Sequence, residues 1–306
     1  MDLACIGLTT LDILVRPVDA LPLLEQAEMV EDISLAPAGT AGGTAAIAAK
    51  LGLDTALISA IGEDVNGRIV SLLLSDAGVD IEHLAKNPTM RTSTTVLPIR
   101  SDGERPNFHM LGASVMTTLT PEALAAARSA KVFHFAGVSF PMLSSDDTVQ
   151  ALASLQQAGV TVTCDLIAPQ PNTLDVLKQF LPYIDVFMPS RAEVAVLLGD
   201  IAMQDALRQF VTMGAKHVFI KLGAEGVIGL IDGEITRFPA YKITPVDTTS
   251  CGDSFCAGLI CGLVRDMNMK KAAECGIATA SFVAQGAGTL GALKGIDQVL
   301  ETMESI

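Results

Sequence analysis

Short runs of consecutive apolar residues alternate with stretches of helical periodicity along most of the chain. The runs are LACIGL (3–8), TALISAI (55–61), KVFHFAG (131–137), VTVTCD (160–165), DVFMP (185–189) and HVFIKLG (217–223). Between them GTAAIAAKLG (43–52), DDTVQALASLQQAG (146–159) and RAEVAVLLG (191–199) carry apolar residues at helical spacing. A strand that is apolar throughout is buried on both faces, as happens when crossover helices cover both sides of a parallel sheet. The pattern predicts an α/β fold with a mostly parallel central sheet.

Two segments break the rhythm. Residues 13–36 and 92–112 read as strands and turns without a crossover helix, the second with a Ser-Asp-Gly-Glu-Arg turn at 101–105. Two arrangements suit them: a small β layer that projects as a lid, or a plain extension of the sheet edge. The stretch VIGLIDGEITRF (227–238) reads as a hairpin turning at Asp232-Gly233, which should continue the sheet in antiparallel sense. No repeat or linker divides the chain, so 1–306 is expected to be one domain carrying the lid segments.

Half of the 306 residues are apolar, enough for a sizeable core. The formal charge of −14 argues against nucleic acid or an anionic membrane as the main partner. A phosphate would have to be held locally. The start, MDLACIGLTTLD, lacks the basic and apolar segments of an export signal, so a cytoplasmic location is expected. The uncharged stretch 275–293 approaches the ~20 residues that span a bilayer, but its four glycines and scattered hydroxyls favour a buried helix and a Gly-rich turn. The six cysteines form no CxxC pair and the four histidines are scattered, which reads as reduced core thiols and no zinc site. Cys256 and Cys261, five apart on an expected helix, should lie on different faces.

The chemistry concentrates in DTTSCGDSFCAG (247–258). If the apolar run after Gly252 is helical, 250–254 lies at its N-terminus, where unpaired N–H groups and partial positive charge can hold an anion. The same residues also suit an ordinary helix cap. Asp253 inside an anion site suggests a reaction that needs phosphate and a proton acceptor side by side, such as attack of a hydroxyl on a phosphoryl group. No GxxxxGK[ST] occurs, and the first strand turn, GLTTLD, lacks GxGxxG.

DTTSCGDSFCAG resembles the C-terminal signature of the ribokinase-like, or PfkB, carbohydrate kinases, close to DTTGAGDxFxAG. It matches at Asp247, Thr248, Thr249, Gly252, Asp253, Phe255, Ala257 and Gly258. Further similar elements follow the family's order: PAGTAGGTAAIAAKLG (37–52), GEDVNG (62–67), DGER (102–105), Gly112-Ala113, Cys164-Asp165, PSRAE (189–193) and KLGAEG (221–226). The resemblance implies a ribokinase-like fold and an ATP-dependent kinase acting on a small sugar or sugar-like hydroxyl. It implies that Asp253 takes the proton from the acceptor and that the backbone at Ser250, Cys251, Gly252 and Asp253 is the anion hole. Ser190, Glu193, Lys221, Gly223 and Gly226 fall along Mg²⁺–ATP. Asp12, Gly39, Thr40, Gly43 and Asp165 fall on the acceptor side. Asp247 and Thr249 fall where a monovalent cation, K⁺, binds. A homodimer, paired through edge strands of the lid segments, is the expected assembly.

The departures from the family pattern concern specificity. Ser250-Cys251 replace Gly-Ala in the anion hole, and a positive φ at Ser250 would cost about 1 kcal/mol. Ser190 replaces Asn. Thr10, Thr40 and Gly43 stand where the family has three amide side chains, each able to fix two hydroxyls. Two other functions therefore stay open, a nucleoside kinase on the same scaffold and a non-catalytic binding protein. Of the remaining polar residues, His134 reads as a sheet histidine with its hydrogen bonds satisfied and Asp64 as a turn cap. Arg105 reads as a solvated hairpin charge or as a group closing over substrate. Asp165, at a strand's C-terminal end where α/β ligands gather, reads equally as a core acid or a substrate contact.

Overall fold

The computed structural model describes residues 1–170 and 172–304, so the last two residues of the expected 1–306 unit lie outside it. Thirteen strands occur among the described residues. They are β1 (Leu3–Gly7), β2 (Thr10–Arg16), β3 (Asp32–Ala38), β4 (Thr55–Gly62), β5 (Leu84–Asn87), β6 (Thr94–Pro98), β7 (Phe108–Met110), β8 (Val132–Ala136), β9 (Thr161–Cys164), β10 (Val186–Phe187), β11 (His217–Lys221), β12 (Val227–Ile231) and β13 (Glu234–Phe238). All six apolar runs form strands.

Nine strands make the main sheet in the order β13-β12-β11-β10-β9-β8-β1-β4-β5. From β11 to β5 neighbours are parallel, and β12 and β13 close the other edge in antiparallel sense. The β12–β13 turn has positive φ at Asp232 (49°) and Gly233 (85°), the geometry that matches strand twist in a two-residue hairpin. Leu84–Asn87 is an edge strand that the patterning did not announce, because only Leu84 is buried.

Side chains alternate between the sheet's two faces. Ala4, Ile6, Phe133 and Phe135 join one core, with helices Asp146–Gln157, Thr173–Phe180 and Met203–Thr212. Leu3, Cys5, Val132 and Ala136 join the other, with helices Gly42–Lys50, Cys251–Val264 and Met269–Val283. Edge-to-face pairs Phe135–Phe180 and Phe187–Phe210, at 5.3 and 5.0 Å, lie on the first side. Each buried Phe contributes roughly 1.5–3 kcal/mol.

Helices Cys251–Val264 and Met269–Val283 pack closely because small residues meet at their crossing. A Cβ on Gly258 would come within 2.5 Å of Thr279 Oγ1. The second helix and the turn after it account for the uncharged 275–293 stretch, and no helix among the described residues is long and apolar enough to cross a membrane. Cys256 and Cys261 do face different ways: Cys256 meets Asp165, and Cys261 joins the core that holds Cys275. All six cysteines are free.

The two interrupting segments form a separate four-stranded sheet, β3-β2-β6-β7. Strand β2 begins at Thr10, so Thr10 and Asp12 belong to this layer. Its register aligns Ala36, Asp12, Thr95 and His109 in one row across the sheet. On the same face Leu14, Ala36 and Leu97 form a small core with Ile99. That face covers the 286–291 turn, where a Cβ on Gly288 would touch Ala36 and Leu14. The sheet thus lies over the region that carries 247–254.

Candidate active site

In the main sheet every parallel strand ends at the same edge, and the site is built there. Asp165 follows β9, Ser190 follows β10 and Lys221 is the last residue of β11. Facing them is the first turn of helix Cys251–Val264.

The turn that leads into this helix is unusual. Ser250 adopts a left-handed conformation, φ 56°, the positive angle that serine tolerates poorly. Its carbonyl accepts from Ser254 N (2.8 Å) and Ser254 Oγ (2.7 Å), and its side chain donates to Thr289 Oγ1 at 3.5 Å. Ser250 makes no side-chain cap to the helix N–H groups. Cys251 N already meets Thr248 O at 3.4 Å and Ser254 N meets Ser250 O, which leaves the N–H groups of Gly252 and Asp253 without a side-chain cap.

Asp253 sits in the first helical turn, only partly accessible. Burial pushes its carboxyl up to about 7; the negative charge of Asp165 adds to the rise, and Lys221 opposes it. It is thus poised to exchange a proton near neutral pH. Gly43 packs directly against it: a Cβ there would lie 2.9 Å from Asp253 Oδ2 and 3.5 Å from Ser250 Oγ. Gly43 joins the acceptor segment to the anion turn because it has no side chain.

Lys221 lies against Gly252, with Nζ 3.4 Å from where a Cβ on that glycine would stand. Its ammonium is 2.6 Å from Asp165 Oδ2. Burial alone would lower the lysine's pKa, but Asp165, Cys256 and Glu193 hold it well above the usual range. Asp165 is 2% exposed, and its other oxygen accepts from Leu166 N at 2.8 Å. Cys256 Sγ donates to Asp165 Oδ2 at 3.4 Å. Asp165 therefore faces the lysine, not open space.

Ser190 and Glu193 form a capping box on helix Arg191–Leu198. Ser190 N donates to Glu193 Oε2 at 2.6 Å, and Glu193 N to Ser190 Oγ at 3.3 Å. Burial, with the charge of Asp165, raises the Glu193 carboxyl above its ordinary range. Gly223 (φ 64°) and Gly226 (φ 88°) shape the turn after β11. Gly223 has open space beside it, whereas a Cβ on Gly226 would clash with Phe238 O.

On the acceptor side, Asp12 is 6% exposed and accepts from Thr10 Oγ1 at 2.8 Å. Burial raises its pKa, while hydrogen bonds from Thr10 and Thr95 and the charges of His109 and Arg105 oppose the rise. Gly39 (φ 92°) lies against Leu8 O, and Thr40 Oγ1 donates to Ala136 O at 3.0 Å. Asp247 is fully buried. Its Oδ1 accepts from Thr249 N (2.8 Å) and Oγ1 (2.6 Å), and its Oδ2 from Gly288 N (2.9 Å).

Several contacts had no signal in the sequence. Arg105 Nε reaches 143 positions along the chain to donate to Thr248 Oγ1 at 3.0 Å, linking the lid turn to the phosphate motif. Thr95 Oγ1 meets His109 Nδ1 at 3.1 Å beside Asp12. Asp64 caps helix Val65–Asp76 as expected and also accepts from Thr92. His134 corrects its reading as fully satisfied: Nδ1 meets Thr163 Oγ1 at 2.9 Å, but Nε2 is buried with no partner. Burial lowers its pKa to about 4. Burial also pushes the Cys251 thiol up to about 12, which disfavours the thiolate.

A cavity of about 780 Å³ opens on the lid's opposite face, between Val65 and Phe108, away from Asp253. A second, about 540 Å³, lies between the lid turn and Thr248. Chemistry, more than volume, marks the candidate site: a carboxyl with a raised pKa in the first turn of a helix, a lysine paired with a buried acid, and a lid bearing a second buried acid.

The family model for pfkB family carbohydrate kinases matches residues 1–294. A fructokinase from Klebsiella pneumoniae is 29% identical over 238 residues, covering 74% of this chain and 76% of that protein. Arabidopsis thaliana ribokinase complexed with ribose and ATP superposes with a TM-score of 0.82 at 23% identity, covering 99% and 98% of the two chains. A putative ribokinase II from E. coli in complex with ATP and Mg²⁺ gives 0.83 at 20% identity, covering 99% of each. The chain belongs to the pfkB family of carbohydrate kinases.

Proposed function

We propose that the protein transfers the γ-phosphoryl group of ATP to a hydroxyl of a small sugar or sugar-like acceptor, with Asp253 as the general base. The observation that carries this reading is the place of Asp253, in the first turn of a helix with no side-chain cap, with Gly43 packed against its carboxyl and Lys221 against Gly252; burial pushes that carboxyl up to about 7. The acceptor hydroxyl donates to Asp253 and loses its proton there as its oxygen bonds to phosphorus. The bond from phosphorus to the bridging oxygen breaks, and ADP leaves. N–H groups at Ser250–Asp253 and the helix dipole stabilise the charge on the transferred group. Gly252 allows its close approach, and Lys221 adds positive charge beneath.

Ser190, Glu193, Lys221, Gly223 and Gly226 would lie along the nucleotide. The donor set suits magnesium carried by the nucleotide's phosphates with at most one protein carboxylate, Glu193, since Asp165 and Asp247 are already engaged. When bound, the ion would neutralise phosphate charge. Asp247 and Thr249 shape the turn where K⁺ would bind, which replacement of K⁺ by Na⁺ in the assay would test. Asp12, Gly39, Thr40 and Gly43 would hold the acceptor, with Asp165 acting through Lys221.

The 1–306 chain is read as one kinase unit whose lid excludes water on closure. A homodimer through the lid is supported by its exposed apolar face, where Ile33 and Phe108 are 65% and 61% exposed. Light scattering on the pure protein tests this. Six free thiols support a cytoplasmic location. ADP release in the presence of ATP, Mg²⁺ and a panel of sugars and nucleosides tests the function. Turnover with a sugar is expected; turnover with nucleosides alone, or with nothing, would overturn it.

A further inference from the structure

Among the described residues, five other than glycine have positive φ: Leu24, Ala168, Asp232, Ser250 and Asp266. Four of them are exposed, in loops and turns. Ser250 is the exception, half-buried at the start of helix Cys251–Val264. A serine that precedes a helix ordinarily has an extended backbone and caps the first N–H groups with its hydroxyl. Ser250 does neither: φ 56° and ψ 13° are left-handed, and its side chain makes no cap. Glycine would hold the same angle without strain. The chain thus keeps a serine where the backbone favours glycine and where a serine's usual contact is not made, the kind of outlier that points to a function for the side chain.

The hydroxyl faces the site. Its Oγ is 3.5 Å from where a Cβ on Gly43 would stand, and Asp253 Oδ2 is 2.9 Å from the same point. The two oxygens therefore border one space, kept open because Gly43 has no side chain. Ser250 Oγ donates to Thr289 Oγ1 at 3.5 Å, longer than the roughly 2.5–3.0 Å of a firm O–H···O bond, so the hydroxyl is free to turn toward the carboxylate. The backbone that carries it is fixed: Ser250 O accepts from Ser254 N and Oγ at 2.8 and 2.7 Å, and Thr248 O from Cys251 N at 3.4 Å. The charged groups that bear on Asp253 come from other elements, Asp165 after β9, Lys221 at the end of β11 and Asp12 on lid strand β2. Burial and Asp165 raise the carboxyl's pKa, with Asp12 adding to the rise; Lys221 and the Ser250 hydroxyl oppose it.

We propose that Ser250 is a positioning residue for Asp253: its hydroxyl donates to the carboxylate and holds it facing the space beside Gly43, where the acceptor's hydroxyl arrives. The left-handed serine is retained for that contact. This rests on the kinase reading above and adds a side-chain role to a turn otherwise read for its backbone N–H groups.

The test compares full-length wild type, Ser250→Gly and Ser250→Ala in transfer from Mg²⁺–ATP to the best sugar acceptor, from about pH 5 to 9. Both variants lack the hydroxyl, but glycine relieves the backbone and alanine does not. Both should lose about tenfold in kcat, with KM for ATP and for the acceptor within about twofold of wild type. A carboxylate that loses a donor holds its proton more tightly, so the acidic limb of the kcat profile should move up by about half a pH unit or more. The same displacement should appear without turnover, in an NMR titration of the ¹³C-labelled Asp253 carboxyl. In the Asp253→Asn background, Ser250→Gly should cost no more than about twofold further, because the hydroxyl acts through the carboxylate. Ser250→Gly as active as wild type would overturn the proposal and leave the kinase reading intact, as would an unmoved carboxyl titration. A tenfold loss that persists in the Asp253→Asn background would also overturn it, by assigning the hydroxyl to the transferred phosphoryl group. Transfer by the wild type to no acceptor would remove the kinase reading and the proposal with it.

Discussion

Replacing Asp253 by Asn should change how the protein's stability depends on pH, by an amount set by the carboxyl's surroundings. Burial lifts its pKa from 3.8 to about 7. Below pH 4 the folded and unfolded chains both hold the proton. Between 4 and 7 the folded chain keeps a proton that the unfolded chain has released, so stability falls as pH rises, and the loss is complete above 7. At about 1.4 kcal/mol per pH unit the full effect is ~4 kcal/mol. Partial exposure of the carboxyl brings the expectation to about 2–4 kcal/mol. Asn cannot titrate, so Asp253→Asn should gain that much on wild type between pH 4.5 and 8.5. With an unfolding entropy near 2.1 cal/mol/K per residue over 306 residues, the gap in Tm should widen by about 3–6 °C. Scanning calorimetry of both proteins across this range measures it. A gap that stays constant with pH would refute the claim that Asp253 is held as a desolvated carboxyl.

Three further outcomes follow from the site's geometry. Lys221→Met strands the charge of Asp165, so it should cost about 3–5 kcal/mol in denaturant unfolding, with much of the loss recovered in the Asp165→Leu/Lys221→Met double variant. Ser250→Gly should stabilise the fold by about 1 kcal/mol, because glycine accepts φ 56° without strain; an unchanged denaturation midpoint would show that the turn is not strained. Gly43→Ala puts a methyl 2.9 Å from Asp253 Oδ2 and must move one of them, so kcat should fall by about 100-fold while the far-UV circular dichroism stays that of wild type.

Continuous apolar runs made the parallel sheet legible in the sequence, because a strand buried on both faces needs apolar residues at every position. Leu84–Asn87 escaped for the same reason: an edge strand with one buried residue has no such pattern. The lid showed itself only as an interruption, and its register, which sets Asp12 beside Thr95 and His109, depends on strand pairings that local patterning does not encode. Polar residues crowding an apolar helix's start marked 247–254 as a candidate, and Asp253 does lie in the first turn of that helix. The pairing of Asp165 with Lys221, 56 positions apart, was not legible. Asp165 was picked out from its place at a strand's end and Lys221 from the resemblance of KLGAEG, but only the sheet order brings the ends of β9 and β11 to one side of Gly252. The left-handed Ser250 was anticipated conditionally, from a serine in a turn that favours glycine.

The central claim is that Asp253 removes the acceptor's proton beside a separate nucleotide site. It is tested most directly by single-turnover transfer of labelled γ-phosphate from ATP to the best acceptor, alongside calorimetric ATP binding, for wild type and Asp253→Asn. The account predicts ATP affinity within about threefold of wild type and transfer reduced by 10³ or more, toward the upper range of a lost general base. Transfer within tenfold of wild type, with ATP binding intact, would contradict it.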